Sequence, residues 1–257
     1  MPSDKMYLPI EAGRALHGAR TNFIGDDTGD NISAKNAEYC ELTALYWAWK
    51  HLTTCDYLGL VHYRRHFAKR KLFCREKDKI LSHSDAEAYL RQAPILLPKR
   101  RRYFIETNAQ QYAHAHHAGD LAALRTVVAA HSPGSLPSFD AHMRARSTHI
   151  CNMFVMRTDL ADAYCQWLFS ILFALEDVLD LSRYDPFQRR VYGFLAERLL
   201  DVWIDWQHIP YREAPVVCLE PQHWGRKGLA FLRRKFLPRA ASFTCQRGNA
   251  GSLRVSP

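Results

Sequence analysis

Apolar and aromatic residues recur at helical spacing between residues 37 and 52. Four of them occupy positions i, i+3, i+4 and i+7 and therefore share one face: Leu42, Leu45, Tyr46 and Trp49. This pattern predicts a single helix with one buried face. Asn36 directly precedes it and belongs to a residue type that often caps helix N-termini, so we expect the helix to begin there.

Three short apolar segments predict buried strands, because each is rich in β-prone residues and ends at polar or turn-forming ones. They cover residues 55–61, 93–97 and 151–156. Two longer segments with helical periodicity follow at residues 159–181 and 186–206. The order of these elements predicts a single α/β domain with a mostly helical C-terminal half.

The composition favours one basic globular domain. The chain has 257 residues, 47% of them hydrophobic, and its formal charge of +9 favours anionic partners. Its seven cysteines are scattered and form no C-x-x-C pair, so we expect neither a zinc ribbon nor a disulfide framework, and a reducing cytoplasm fits best. No apolar run approaches the roughly 18 residues that a membrane span needs.

The first candidate site follows the strand predicted at residues 55–61, which ends in the polar run HYRR. Ligands bind beyond the carboxyl ends of strands in open α/β sheets. Arg64 and Arg65 have the planar, bidentate geometry that suits a diphosphate, and His62 offers a further hydrogen bond. A solvated charge cluster explains the same three residues equally well.

The second candidate site is the acidic loop GDDTGDN at residues 25–31. Asp26, Asp27 and Asp30 offer oxygens that suit sugar hydroxyls, ribose or a divalent ion, and the glycines allow tight turns. The loop lacks the terminal glutamate of a calcium-binding loop. A divalent metal, Mn²⁺ or Mg²⁺, therefore stays open as an alternative to direct contact with a sugar.

Two carboxylates are candidates for a general base. Glu197 borders the apolar stripe of its predicted helix, where burial raises the pKa of a carboxylate and suits it to act as a base. An ordinary ion pair with Arg190 or Arg198 explains the presence of Glu197 as well. Asp120 stands three residues after His117, which makes the two a candidate site pair. No G-x-S-x-G, G-x-G-x-x-G or P-loop pattern occurs, which disfavours hydrolases, dinucleotide enzymes and P-loop proteins.

Four long blocks of the sequence resemble one protein family. They read GDDTGDNISAKNAEYCELTALYWAWKH, DYLGLVHYRRHF, NMFVMRTDLADAYCQWLFSILFALE and QRRVYGFLAERLLDVWI. In this order they are similar to a family of bacterial glycosyltransferases of capsule and O-antigen biosynthesis, first catalogued as the domain of unknown function 4422. Several long blocks in one order are far more specific than a single short motif.

The resemblance implies a GT-A-like fold and transfer of a sugar, galactofuranose among the candidates, from a nucleotide-sugar donor, with a UDP-sugar preferred. The acceptor would be a lipid-linked glycan or a polysaccharide. We assign nine residues to the donor site: Asp27, Asp30, Asn31, Lys35, Asn36, His62, Arg64, Arg65 and Asn152. We assign three to acceptor contact or support: His117, Arg190 and Arg198. Two arginines would neutralise the departing diphosphate, so we expect no required metal cofactor.

The family resemblance also raises an expectation about the start of the chain. Related sequences begin with a further apolar strand, so a chain that starts near MYLPIEAG is expected to be weakly active or inactive. The alternative function is therefore an inactive, N-terminally truncated remnant that binds nucleotide or glycan. Nucleic-acid binding has only the positive charge in its favour and no recognisable module, so we do not expect it.

We predict a glycosyltransferase domain at residues 1–223 and a basic tail at residues 224–257. Within the tail, residues 224–241 combine apolar side chains with six basic ones, a composition typical of segments that bind membrane surfaces. This composition predicts a peripheral protein on the inner face of the bacterial membrane, with anionic lipid as a partner.

Overall fold

The computed structural model describes residues 2–69 and 76–219. They belong to one compact unit, Met1–Leu219. The predicted tail at residues 224–257 lies outside the described residues, so its proposed contact with a membrane stays a prediction. Within the described part of the chain, no helix is both long enough and apolar enough to cross a membrane.

Short strands and longer helices alternate in the first half of this unit, and helices dominate the second half. The described strands are β1 (Ile10–Glu11), β2 (Ile24–Gly25), β3 (Tyr57–Leu60), β4 (Arg65–Phe67), β5 (Ile95–Pro98), β6 (Arg101–Arg102), β7 (Ser147–Thr148), β8 (Phe154–Arg157), β9 (Tyr211–Ala214) and β10 (Val216–Cys218). The described α-helices are α1 (Arg14–His17), α2 (Asn36–Tyr39), α3 (Leu42–His51), α4 (His83–Leu90), α5 (Asn108–Ala115), α6 (Ala118–His131), α7 (Leu136–Arg144), α8 (Thr158–Glu176) and α9 (Val191–Trp206).

The largest sheet in the described residues has the order β3, β8, β5, β9. β8 is antiparallel to both of its neighbours, whereas β5 and β9 are parallel. All three predicted strands are confirmed, as β3, β5 and β8. On β5, Ile95 and Leu97 face the large helical core, and Leu96 faces a second cluster with Phe67 and Leu81. A strand buried on both faces explains why its sequence is a continuous apolar run.

The two longest described helices, α8 and α9, supply much of the main core. Leu168, Leu172 and Leu199 are fully buried there, and each buried leucine contributes about 1.5 to 3 kcal/mol. α9 begins at Val191, later than predicted. The preceding residues form a turn in which the Asp185 carboxylate accepts hydrogen bonds from two backbone N–H groups.

The single helix predicted over residues 37–52 is wrong, because the chain forms two helices, α2 and α3. The break lies at Cys40, whose φ of 55° is in the left-handed region. Asn36 does not cap the N-terminus: its Nδ2 donates to the carbonyl oxygen of Cys40 at 2.7 Å and to Oγ1 of Thr43 at 2.9 Å. These bonds stabilise the break and turn Glu41 away from the apolar stripe of α3.

A buried polar network joins α9 to β7 and β9. The carboxylate of Asp201 on α9 lies 2.5 Å from Nδ1 of His149 and accepts a hydrogen bond from Oγ1 of Thr148 at 3.0 Å. The other ring nitrogen of His149 lies 3.0 Å from Glu213, and Arg100 lies 3.3 Å from Asp201. Charges buried in this way are tolerated because each has partners, and removal of one partner is strongly destabilising.

This network should make the fold acid-sensitive. Burial lowers the pKa of His142, whose Nδ1 lies 3.9 Å from Asp201, from 6.5 to about 4. Burial would raise the pKa of Asp201, but hydrogen bonding and the charge of His149 hold it well below 3.8. Both folded-state values are depressed, so protons bind the unfolded chain more readily. The stabilisation that depends on neutral His142 is lost as the pH falls from about 6.5 toward 4. The stabilisation that depends on ionised Asp201 is lost at lower pH, below about 3.8.

We therefore expect the melting temperature to fall as the pH is lowered from about 7 to 4. His142→Gln should lower the melting temperature and flatten this dependence, because glutamine does not titrate. Thermal melts followed by circular dichroism at a series of pH values measure both effects. His131→Gln, at the exposed end of α6, is the matched control and should keep the wild-type slope. A wild-type slope in His142→Gln would contradict the assignment.

Candidate functional site

A cleft of about 940 Å³ runs along the outer edge of β3. Within the described residues, β3 has a strand partner on one side only, and the cleft occupies the other side. The segment before α1 forms one wall, and α3 forms another. Much of the lining is apolar: Ile10, Leu45, Ala48, Leu58 and Leu60. A cleft of this size with an apolar interior is the usual form of a small-molecule site.

Polar and charged groups also line this cleft. They include Asn36, Glu41, His62, His66, Arg189 and Arg190. Arg190 is exposed and its Nε donates to Sγ of Cys40 at 3.0 Å, whereas Arg189 forms an ion pair with Glu38 at 2.7 Å. The charged side chains allow the cleft to bind a ligand with one apolar end and one anionic end.

His66 is the most unusual of these groups. It is buried, and neither ring nitrogen forms a hydrogen bond of normal geometry within the described residues. Burial lowers the pKa of the ring, which favours the neutral form. Buried polar atoms are normally hydrogen-bonded. The His66 ring packs edge-on against Tyr7 with centroids 5.5 Å apart, and it offers hydrogen-bonding capacity to a ligand in the cleft.

One tight turn, formed by Cys151 and Asn152, connects the cleft to the helical half of the protein. Both residues have positive φ values, 74° and 50°, a strained conformation for residues other than glycine. The carbonyl oxygen of Cys151 accepts a hydrogen bond from Nε2 of His62 at 2.5 Å. Asn152 Nδ2 donates to Oε1 of Glu41 at 2.8 Å. The Cys151–Asn152 turn thus fixes two residues of the cleft wall.

Glu197 on α9 lies near the same turn. Its carboxylate accepts from Nη1 of Arg198 at 3.1 Å, and the backbone of Cys151 acts to lower its pKa. Arg198 is buried and donates from Nη2 to Gln111 at 2.7 Å. Burial raises the pKa of Glu197 above 4.5, and the nearby Glu41 adds to the effect. The side chain keeps 24% exposure, but Glu197, like Asn152 and Arg198, lies outside the cleft lining.

The thiol of Cys151 does not act as a nucleophile in this arrangement. Burial raises its pKa to about 12, and the charges of Glu197 and Glu41 act in the same direction. A thiol is reactive as the thiolate, which is scarce at such a pKa. Cys151 therefore contributes to the site through its backbone, whose carbonyl oxygen binds His62.

The acidic loop is held by its own hydrogen bonds rather than opening into the cleft. Asp26 is buried and accepts from the backbone of Gly13 at 2.8 Å and from the hydroxyl of Ser33 at 2.5 Å. Asp30 accepts from the hydroxyl of Tyr46 at 3.1 Å, and Asn31 donates to a neighbouring carbonyl at 2.9 Å.

Four of the predicted donor residues, Asp27, Asp30, Asn31 and Lys35, lie outside the cleft lining. Lys35 instead forms an ion pair with Glu176 on α8 at 2.7 Å. Asn36, another of the predicted donor residues, does line the cleft. The contribution of the other four to donor binding stays a prediction.

The two arginines of the HYRR run also lie outside the cleft lining. Arg65 is exposed at the start of β4, and its backbone pairs with that of His62. The guanidinium of Arg64 lies 4.6 Å from the ring centroid of Tyr63. Of this run, His62 and Tyr63 line the cleft. Diphosphate contact by Arg64 and Arg65 stays a prediction.

Asp120 is positioned as a structural residue. It is 1% exposed, and its two oxygens accept hydrogen bonds from the hydroxyls of Tyr112 and Tyr184 at 2.8 and 2.6 Å. His117 precedes α6 and packs against the ring of Tyr184 at 4.5 Å. Both oxygens of this buried carboxylate are thus engaged with tyrosine hydroxyls, which favours a structural role, and the role of Asp120 as a base stays a prediction.

Sequence reasoning missed Glu41 and the Cys151–Asn152 turn. Glu41 was assigned to a continuous helix, because nothing in the residue types predicts a left-handed Cys40. Cys151 and Asn152 were assigned to a strand for the same reason, although asparagine tolerates this conformation better than most residues. The asparagine at the start of an apolar run was the only signal for the turn.

The part of the chain that the structure describes contains no group of three or more His, Cys, Asp or Glu side chains arranged to hold a metal ion. Asp26 and Asp30 of the acidic loop are engaged with other protein groups. Whether transfer requires a metal is not decided by this arrangement, and metal independence stays a prediction.

The chain is similar to the apo structure of the bifunctional glycosyltransferase WbbM. The TM-score is 0.80 and the sequence identity is 31%, over 86% of this chain and 43% of that chain. The chain thus spans less than half the length of WbbM. This likeness confirms the GT-A-like α/β fold expected from the sequence.

A comparison with curated proteins gave no significant match. The family model described as "Domain of unknown function (DUF4422)" matches residues 1–208, which is most of the chain and includes every residue of the cleft and of the Cys151–Asn152 turn. The chain therefore belongs to the DUF4422 family.

Proposed function

We propose that the chain is a glycosyltransferase of the hexosyltransferase type that moves a sugar from a UDP-sugar to a hydroxyl of a lipid-linked glycan or polysaccharide. The pathway would be capsule, O-antigen or exopolysaccharide biosynthesis, and galactofuranose is one candidate sugar. The observation that carries the proposal is the cleft along β3, whose lining combines apolar side chains with arginines, in a chain similar to a bifunctional glycosyltransferase.

A nucleotide-sugar fits the two chemistries of this cleft. The apolar wall of Leu45, Leu58 and Leu60 suits a nucleobase and ribose, and the unpaired ring of His66 offers a hydrogen bond to a polar group of either. The guanidinium of Arg190 suits the diphosphate, because its planar donors bind phosphate oxygens in pairs. Glu41 is left to accept hydrogen bonds from the hydroxyls of the transferred sugar.

Glu197 is the residue that we assign as the general base. In the transfer step the acceptor oxygen forms a bond to the anomeric carbon, the bond from that carbon to the diphosphate breaks, and Glu197 takes the acceptor proton. Its raised pKa makes it a stronger base than an exposed glutamate. Arg190 would stabilise the charge that develops on the departing UDP.

The alternative is a protein that binds a nucleotide or glycan without transferring sugar. The position of the cleft beside an edge strand favours this alternative, since β3 has no second strand partner within the described residues to form a closed site. Binding and turnover therefore have to be measured separately.

Incubation of the 257-residue chain with a panel of UDP-sugars and a glycan acceptor tests the proposal, which requires a transferred sugar and free UDP. Robust transfer would contradict the expectation of a weakly active or inactive chain. We expect the product to form in EDTA as well, because the cleft lining supplies cationic groups for the diphosphate. Mass spectrometry of the acceptor measures transfer, and Glu197→Gln is the background control. Activity that is lost in EDTA and restored by Mn²⁺ or Mg²⁺ would contradict metal independence. A thermal shift with UDP but no product would favour the binding alternative.

Arg190→Ala should weaken UDP binding by about 1.5 to 3 kcal/mol, the usual contribution of a charged hydrogen bond. Arg190 lines the cleft, whereas Arg64 and Arg65 do not, so calorimetry on Arg64→Ala and Arg65→Ala tests the sequence-based assignment directly. A loss confined to these two variants would place the diphosphate at the HYRR run instead. Arg183→Ala, an exposed arginine outside the cleft lining, is the matched control and should bind UDP normally.

Glu197→Gln should lower kcat by about 10² to 10⁴-fold and leave UDP affinity unchanged, because a general base acts in the chemical step. In the wild type, kcat/KM should decline on the acid side at a pH above the ordinary glutamate pKa of 4.5, since the pKa of Glu197 is raised. Asp120→Asn should lower thermal stability and keep the wild-type pH profile. Full activity in Glu197→Gln with loss in Glu41→Gln would transfer the role to Glu41.

A further inference from the structure

Two adjacent apolar side chains project from the surface at the end of a short basic ribbon. Phe104 is 85% exposed and Ile105 is 70% exposed, the highest values among the exposed large hydrophobic residues of the described chain. Single exposed apolar residues are common. A neighbouring pair that is almost fully in water is unusual for a soluble domain and indicates a contact surface.

The ribbon that presents this pair is well ordered by backbone hydrogen bonds. β6 pairs antiparallel with β7, with Arg101 opposite Thr148 and Arg102 opposite Ser147. The pairing continues one step further, because the N–H of Tyr103 donates to the carbonyl oxygen of Arg146 at 2.7 Å. Phe104 and Ile105 follow directly, so they occupy the loop at the end of the ribbon.

The far side of the loop is anchored as well. Thr107 caps α5: its Oγ1 accepts from the N–H of Gln110 at 3.2 Å, and its own N–H donates to Oε1 of Gln110 at 2.9 Å. The N–H of Asn108 donates to the carbonyl oxygen of Ala145 at 2.8 Å. Little conformational entropy is therefore lost when the exposed pair binds something, which favours binding.

Positive charge surrounds the apolar pair in sequence and across the ribbon. Five basic residues of these two segments are exposed: Lys99, Arg101, Arg102, Arg144 and Arg146. The carboxylate next in sequence, Glu106, lies 3.3 Å from Nδ1 of His114. Glu213 accepts a hydrogen bond from the backbone of Arg100 and contacts His149. Both carboxylates are engaged with other groups, so the surface keeps a positive character.

An anionic lipid surface is the partner that fits both features. Phenylalanine and isoleucine enter the boundary between headgroups and acyl chains, while arginines bind lipid phosphates with paired hydrogen bonds. Nucleic acid would match the arginines, but an exposed isoleucine gains little from it, since bases stack on aromatic or guanidinium planes.

We propose that the ribbon surface formed by residues 99–105 and 144–146 docks on an anionic membrane, with Phe104 and Ile105 inserted at the headgroup boundary. The inference does not depend on transferase activity, and it rests on other residues than those of the basic segment 224–241.

Vesicle sedimentation with the full chain tests the docking. We expect binding to phosphatidylcholine vesicles that contain about one third phosphatidylglycerol, little binding to pure phosphatidylcholine, and weakening by salt. F104S/I105S should reduce partitioning into the anionic vesicles by about ten-fold or more, because both apolar contacts are lost. R102E/R146E should reduce it as well, through charge. L16S/V178S removes side chains that are 52% and 53% exposed elsewhere and should bind like the wild type.

Melting temperatures of all variants should match the wild type, which separates loss of docking from loss of fold. UDP affinity should also be unchanged in F104S/I105S, so a failure of the docking proposal is distinguishable from a failure of the proposed function. Wild-type vesicle binding by F104S/I105S would overturn the proposal and assign any membrane contact to another part of the chain. Absence of wild-type binding to anionic vesicles at low salt would overturn the proposal too. So would a result in which F104S/I105S weakens binding to RNA but not to vesicles.

Discussion

The candidate site depends on two consecutive left-handed residues, Cys151 and Asn152. Such a conformation costs about 1 kcal/mol or more for each L-residue and persists only where surrounding contacts compensate for it. Here the compensating contacts are hydrogen bonds to His62 and Glu41, which lie on two different segments of the chain. Asn152 also donates to the carbonyl oxygen of Gly193 on α9 at 3.1 Å. Because the turn leads directly into β8 in the sheet, it ties all of these groups to the most rigid part of the fold.

The carboxylates of this protein divide into structural anchors and groups available for chemistry. Asp26, Asp120 and Asp201 are almost fully buried, and each accepts at least two hydrogen bonds, which is how a buried charge is tolerated. Glu41 lines the cleft and Glu197 does not, but part of each side chain is exposed. The accessible carboxylates, rather than the most buried ones, are therefore the candidates for contact with a substrate.

The sequence predicted the strands well, because a strand buried on both faces leaves a continuous apolar run, as in Ile95 to Leu97. It predicted the buried face of α3 for a similar reason. It could not predict the break at Cys40, since cysteine has no preference for positive φ and the stabilising bonds of Asn36 form only in the folded chain. It could not predict the contacts of Asp120 either, because the spacing from His117 says nothing about Tyr184, a residue that is distant in sequence and donates the second hydrogen bond.

The positive charge is distributed in a way that relates the two proposals. Arg190 lies in the cleft on one side of the Cys151–Asn152 turn, and Arg198 pairs with Glu197 on α9. The exposed arginines of the β6–β7 ribbon lie next to Phe104 and Ile105 in sequence or across the ribbon, and none of them lines the cleft. The two proposals therefore use different basic residues. A change in the charge of one surface should leave binding at the other unchanged.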